Sequence, residues 1–248
     1  MSLNNTLPPK PLNENIRPEI TRLPALTFWR RVARAFLRSS ARLLAWLFTD
    51  IQISGLDNVP AEEGAIIVSN HLGDADLILG IAIGPRLPDA LAKAELYDYP
   101  ILGNLMEAYG VIWVHRGQPD RRALRAALQG LTEGRLISIA PEGRESLTGA
   151  LEEGTHGAAF LALKTDAPLV PVTFTGTENK RMIPNLKRLR RTPVTITIGP
   201  SFRLEAHEDR RTAIERGTKT IMRKLANQLP PEYRGIYQTE AESTNDSR

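Results

Sequence analysis

From residue 64 onward, short apolar runs alternate with longer amphipathic segments. Residues 64–68 (GAIIV) read as a buried strand and 74–84 (DADLILGIAIG) as a short helix. A strand begins at Ala90, and a helix over 99–110 ends at Gly110. Residues 111–115 (VIWVH) form a strand. A helix over 119–134 opens with Pro119 and Asp120 and closes at Gly134. Strands follow at 135–140, 167–176 and 194–199, with helices at 154–166 and 210–229. The basic stretch 178–193 shows no period and reads as irregular. Strands alternating with helices predict an α/β fold: a three-layer, mostly parallel mixed sheet flanked by helices, with an N-terminal amphipathic helical appendage.

The appendage has two parts. Residues 1–26 are polar and proline-rich and read as an extended arm. Residues 27–50 lack any acidic side chain until Asp50. There Trp29, Val32, Phe36, Leu43 and Leu47 recur on one helical face, and Arg30, Arg31, Arg34, Arg38 and Arg42 cluster roughly opposite. Two arrangements fit. The apolar stripe docks on the protein's own core with the arginines outward, or the helix lies in a membrane interface with its arginines at anionic headgroups. Residues 51–237 carry the alternating pattern as one domain, and 238–248 form a polar, frayed tail.

Composition narrows the chemistry. The chain has no cysteine, which removes disulfides, thiolate zinc sites and cysteine nucleophiles and suits a cytosolic face. No apolar run approaches the roughly 20 residues of a membrane span, and the N-terminus lacks a signal-peptide core. A net charge of +4 permits an anionic partner without choosing one. Four scattered histidines offer no metal-ligand spacing, and no nucleotide-binding glycine pattern is present. A nucleic-acid partner would account for the charge but for none of the loops described next.

Ligands of open α/β sheets bind beyond the carboxyl ends of the strands, where three loops concentrate polar groups. The first is SNHLGDAD. His71 and Asp76 are five apart, a spacing that separates them on a continuous helix. They meet only if His71 lies in the loop and the helix starts after it, with Gly73 or Asp74 as N-cap. A carboxylate on one imidazole nitrogen leaves the other as a base. The second loop, VHRGQPD, places Arg116 at a strand end, where a guanidinium suits phosphate; His115 reads as a strand histidine. The third, APEGRES, is a turn that sets Glu142 and Gly143 beside Arg144.

The order of these blocks resembles that of the glycerolipid acyltransferases, PlsC-like enzymes of the lysophosphatidate (1-acyl-glycerol-3-phosphate) type. Their Asn-His-x-Ser-x-x-Asp block matches Asn70, His71 and Asp76. Their strand-end arginine matches Arg116, and their Phe-Pro-Glu-Gly-Thr-Arg-Ser block matches Pro141, Glu142, Gly143 and Ser146. An apolar strand with Pro168 and Pro171 and a lysine strand with Lys93 complete the likeness, which covers residues 55–199. It implies His71 as general base, Asp76 as its orienting partner, and substrate binding by Asn70, Lys93, Arg116, Glu142, Gly143 and Arg144. It implies no metal and no resident cofactor. The co-substrate is a thioester of coenzyme A or acyl carrier protein, the acceptor a lysophospholipid and the product phosphatidic acid. The implied location is peripheral, on the cytoplasmic face of an anionic membrane. The same chemistry on another lysolipid, or a non-catalytic lipid-binding relative, are the alternatives. Three departures bear on the acceptor headgroup: Gly73 for Ser, Ala140 for Phe, and Arg144-Glu145 for Thr-Arg.

Overall fold

The computed structural model describes residues 17–117 and 119–238; the first part of the arm and nearly all of the tail lie outside these residues. Seven helices, α1 (Phe28–Phe48), α2 (Ala75–Ile83), α3 (Leu102–Tyr109), α4 (Arg121–Thr132), α5 (Gly157–Thr165), α6 (Asn179–Lys187) and α7 (Arg210–Gln228), surround one sheet. Its strands are β1 (Thr49–Ser54), β2 (Ala65–Ser69), β3 (Asp89–Lys93), β4 (Ile112–Val114), β5 (Leu136–Ile139), β6 (Leu169–Thr175) and β7 (Thr192–Ile198), in the order β1-β7-β6-β2-β5-β3-β4. Every pair is parallel except β6–β7, so β1 and β7 run against the other five strands.

Side-chain alternation on the central strands divides the core. Ile66, Val68, Ile137, Ile139 and Leu169 pack with α4, α5 and α7. Ala65, Ile67, Leu136, Val170 and Val172 pack with α1 and α2 on the other face. The five co-directional strands send their carboxyl ends to one edge, where all three polar loops emerge.

Two segments depart from the sequence pattern. The pattern carries the first helix to Thr49, yet Thr49 starts an edge strand whose Ile51 and Ile53 alternate with polar residues. An edge strand is half solvated, so it lacks the continuous apolar run that marks β2 or β6. The stretch 178–193 also contains α6 with Pro184 inside it, rather than being irregular throughout. The ring nitrogen of Pro184 cannot donate the intrahelical bond to the Lys180 carbonyl, which weakens this short helix. Pro193 is tolerated in β7 because pairing with β6 begins only at Thr195.

The appendage helix corrects both arrangements read from its sequence. Thr27 caps α1, its hydroxyl accepting from the Arg30 N–H. The middle of the arginine face, Arg34 and Arg38, then turns inward, while Arg31 and Arg42 remain exposed. Buried Arg34 pairs with Asp89 at 2.6 Å and lies 4.5 Å over the Tyr109 ring. Arg38 donates to the Gly84 carbonyl, and Arg42 to that of Ala82 at 2.9 Å. Both carbonyls belong to the end of α2, where a helix favours cations. Ala41 and Ala45 are buried between the helices and allow the close approach. The apolar stripe consequently faces outward, with Phe28, Trp29, Phe36, Leu43 and Trp46 all exposed. No described helix is long and apolar enough to cross a membrane.

Candidate active site

The chain leaves β2 at Ser69, and Asn70 fastens the loop at once. Its side chain donates to the Phe174 carbonyl (2.9 Å) and accepts from the Phe174 N–H (2.8 Å), extending the sheet by one side chain. Asn70 is buried and braces the loop, and it also lines the cleft. His71 follows, and α2 starts four residues later. One oxygen of Asp76, Oδ2, receives the His71 Nδ1–H at 2.9 Å and the N–H groups of Leu72 and Gly73 at 2.7 and 3.0 Å. The loop and first turn thus bring together two residues that a regular helix would separate. Asp74 sits at the helix start without capping it; its carboxylate instead accepts from Asn179. A side chain at Gly73 would meet the Thr177 carbonyl at 2.6 Å, so the serine of the resembling block does not fit here without a shift.

Beneath the histidine lies Glu142, fully buried. Its two oxygens accept from the backbone N–H of His71 (3.3 Å) and of Glu152 (2.8 Å). The His71 carbonyl accepts from the Ser146 N–H at 2.8 Å. The first and third loops are therefore tied around the imidazole. Burial pushes the Glu142 carboxyl up to about 7, against the pull of those two backbone donors. Gly143 takes the left-handed conformation (φ 70°) that this turn requires. Its carbonyl receives the Arg116 guanidinium at 3.2 Å, while Arg116 Nε is buried and unpartnered.

The residues expected to bind substrate thus divide. Lys93, exposed at the end of β3, and Arg116 line the cleft with His71. Glu142 and Asn70 brace the loops, a placement their sequence neighbourhood did not disclose. Arg144 bonds the buried Glu152 at 2.7 Å, and the other Glu152 oxygen holds the Leu147 N–H. Arg144 thereby stiffens the third loop, although it also reaches the cleft wall. Glu145 was noted in sequence only as a departure. In the fold it lines the cleft together with His71, held by Asn179 at 3.1 Å. Burial, reinforced by Asp74 and Asp76, raises its carboxyl, while His71 and Lys93 pull the other way. Its only signal in sequence is a carboxylate where the resembling block carries an arginine.

The cleft has a volume of about 2420 Å³, and its walls include the apolar side chains of Leu77, Ile81, Leu96 and Met106. The His71 side chain is 32% exposed, and its Nε2 has no partner among the described residues. Burial alone would lower its pKa. The hydrogen bond and charge of Asp76, with the charges of Glu145 and Glu142, outweigh burial and raise it. A second imidazole, His115, also meets a carboxylate five residues on: Asp120, at 3.0 Å. Its Nε2 is occupied by the Arg17 N–H at 2.8 Å. Among the described residues, no group of three or more acidic or histidine side chains is placed to hold a metal ion.

Comparison with known proteins agrees with this architecture. The model of a family described as Acyltransferase matches residues 50–175, about half of the chain. A 1-acyl-sn-glycerol-3-phosphate acyltransferase of Borreliella burgdorferi is 31% identical over 153 residues, covering 60% of this chain and 61% of that one. One of Bacillus subtilis is 29% identical over 143 residues, covering 57% and 70%. The chloroplastic enzyme LPAT1 of Arabidopsis thaliana is 31% identical over 140 residues, covering 55% and 39%. The chain spans about half the length of the curated relatives it matches. The fold is shared with the crystal structure of the 1-acyl-sn-glycerophosphate (LPA) acyltransferase PlsC from Thermotoga maritima. Its TM-score is 0.58 at 24% identity, over 81% of this chain and 83% of that one.

Proposed function

We propose that this chain, which belongs to the acyltransferase family, moves a fatty acyl group from a thioester to the free hydroxyl of 1-acylglycerol-3-phosphate, giving phosphatidic acid. The observation that carries this reading is an imidazole fixed by a carboxylate through Nδ1 and presenting an unoccupied Nε2 to an apolar cleft. His71 Nε2 takes the hydroxyl proton as the oxygen attacks the thioester carbonyl. The carbon–sulfur bond then breaks, and the imidazolium returns its proton to the thiolate. Asp76 keeps the ring in the required tautomer and stabilises its charged form. No protein nucleophile is needed. A positioned base supplies about 10²- to 10⁴-fold, and holding hydroxyl and thioester together supplies about 7 to 11 kcal/mol, so positioning is the larger contribution.

Arg116 and Lys93 are the cleft cations assigned to the acceptor's phosphate, both at the ends of strands beside the His71 loop. The acyl chain lies along Leu77, Ile81, Leu96 and Met106. The donor is a thioester of coenzyme A or acyl carrier protein, used as co-substrate with no resident cofactor. The outward stripe of α1 rests in the bilayer that holds the acceptor, making the protein peripheral to the cytoplasmic face. Arg34 and Arg38 are committed to the protein, so apolar insertion contributes more than charge to seating this helix.

Glu145 favours a second reading. A carboxylate in the same cleft as His71 opposes a doubly charged phosphate and suits a lysolipid with a neutral or cationic headgroup. One assay tests both. Purified protein is given labelled acyl thioester with lysophosphatidate or with other lysolipids, beside a His71→Ala variant of equal thermal stability. Product from lysophosphatidate with wild type alone supports the first reading. Product only from another lysolipid selects the second, and equal product from both proteins removes His71 as the base.

A further inference from the structure

We propose that residues 179–191 form a second lipid-facing surface, one that takes the anionic headgroups of a bilayer. The location of this surface builds on the reading of α1 as a membrane helix, while its chemistry stands on its own. The segment NKRMIPNLKRLRR contains Lys180, Arg181, Lys187, Arg188, Arg190 and Arg191 and no acidic residue. All six are exposed, and none forms an ion pair with a described residue. Cations without a carboxylate partner among the described residues make a strong local field in so short a segment.

An apolar row accompanies the charge. Met182 packs toward the core, while Ile183, Leu186 and Leu189 recur every three residues and stay exposed. Leu189 is 82% exposed and adopts φ +52°. That left-handed conformation disfavours a branched side chain and is ordinarily filled by glycine. A leucine there gains nothing from the rest of the chain, because its side chain points to solvent. The tip is nonetheless built firmly. Leu189 and Arg190 donate their N–H groups to Leu186 (3.0 Å) and Asn185 (2.9 Å), and Asn185 bonds the Thr192 hydroxyl at 3.0 Å.

Continuity with α1 identifies the occupant. Arg191 donates to the Thr49 carbonyl at 2.8 Å, at the end of α1, and it lines one shallow cavity with the exposed Trp46. Apolar side chains flanked by unpaired cations, beside an outward stripe of Trp, Phe and Leu, match a lipid interface with negative headgroups. The same surface abuts the active-site mouth, since Asn179 at its start holds both Asp74 and Glu145.

The test uses the full chain and sedimentation with vesicles of phosphatidylcholine alone or with added phosphatidylglycerol. A triple variant, Lys187→Ser with Arg188→Ser and Arg190→Ser, is expected to lose about a hundredfold in affinity for the anionic vesicles at low salt. Its binding to neutral vesicles is expected to change little. Leu189→Gly is expected to melt at the same or a higher temperature, because the strained position is relieved, and yet to bind both vesicles several-fold more weakly. Wild-type binding that ignores phosphatidylglycerol, or a triple variant that binds as wild type, overturns the proposal. So does a triple variant that keeps its vesicle affinity but loses affinity for duplex DNA, which would assign the cations to nucleic acid. Acylation of a monomeric short-chain lysophosphatidate reads the enzymatic proposal separately. Its absence in wild type would sink that reading without touching the vesicle result, and an unchanged rate in the triple variant would leave it intact whatever the vesicles show.

Discussion

Two histidine–aspartate pairs in this molecule share one local design and part at a single atom. His71–Asp76 and His115–Asp120 each follow a parallel strand, each span five residues, and each use an aspartate at the start of a helix. In both, the carboxylate holds Nδ1 at about 3 Å and also receives backbone N–H groups. The difference lies in Nε2. For His115 it is capped by the Arg17 N–H, and its side chain is only 7% exposed. For His71 it opens on the cleft. On the proposed reading, the same pair is a brace where Arg17 covers it and a base where Nε2 is left open to the cleft. Tertiary coverage, rather than the dyad itself, separates structure from chemistry.

Removing the open imidazole should have the largest effect. His71→Ala is expected to lower kcat/KM by about 10²- to 10⁴-fold with little change in Tm, measured by acyl transfer and thermal melting on one preparation. Asp76→Asn should cost about 10²-fold, because the ring loses the carboxylate charge that stabilises its protonated form.

The covered pair should respond in the opposite currency. Asp120→Ala removes a helix cap and the buried partner of His115, an expected loss of about 2–4 kcal/mol of stability, with kcat/KM within about threefold of wild type. Denaturant titration and the acylation assay read the two halves. Hydrogen bonds from His115, Ala123 and Arg122 lower the Asp120 pKa even though burial pushes it upward. Its stabilisation is therefore present above the unfolded value near 3.8 and fades as pH falls through the lower folded value. The gap between wild type and Asp120→Ala should close in acid. A large activity loss from Asp120→Ala at intact stability would erase the distinction between the pairs.

The same contrast marks what the sequence discloses. The central strands and α2, α4, α5 and α7 are legible because burial imposes their period. The meeting of His71 and Asp76 is legible because only one loop-and-helix arrangement permits it. What escapes depends on distant segments. The Arg17 cap on His115 comes from 98 positions away, and no local pattern encodes it. The inward turn of Arg38 needs the free Gly84 carbonyl at the end of α2, and the burial of Glu142 needs the N–H of Glu152. An arginine row or a Pro-Glu-Gly turn reads identically whether it faces solvent, substrate or the fold.

The central claim is that Asp76 holds His71 as a base above its ordinary pKa, and the pH dependence of kcat/KM in wild type and Asp76→Asn tests it most directly. Because the His71 pKa is raised above 6.5, the neutral imidazole grows with pH, and the wild-type rate should rise through an apparent pKa above that value. In Asp76→Asn, burial is left without its main counterweight, so the residual activity should rise at a lower pH. The buried Glu142 titrates in the same region but would not carry its limb downward with the Asp76 substitution in this way. A flat wild-type profile, or a limb that stays in place when Asp76 is replaced, would contradict the account.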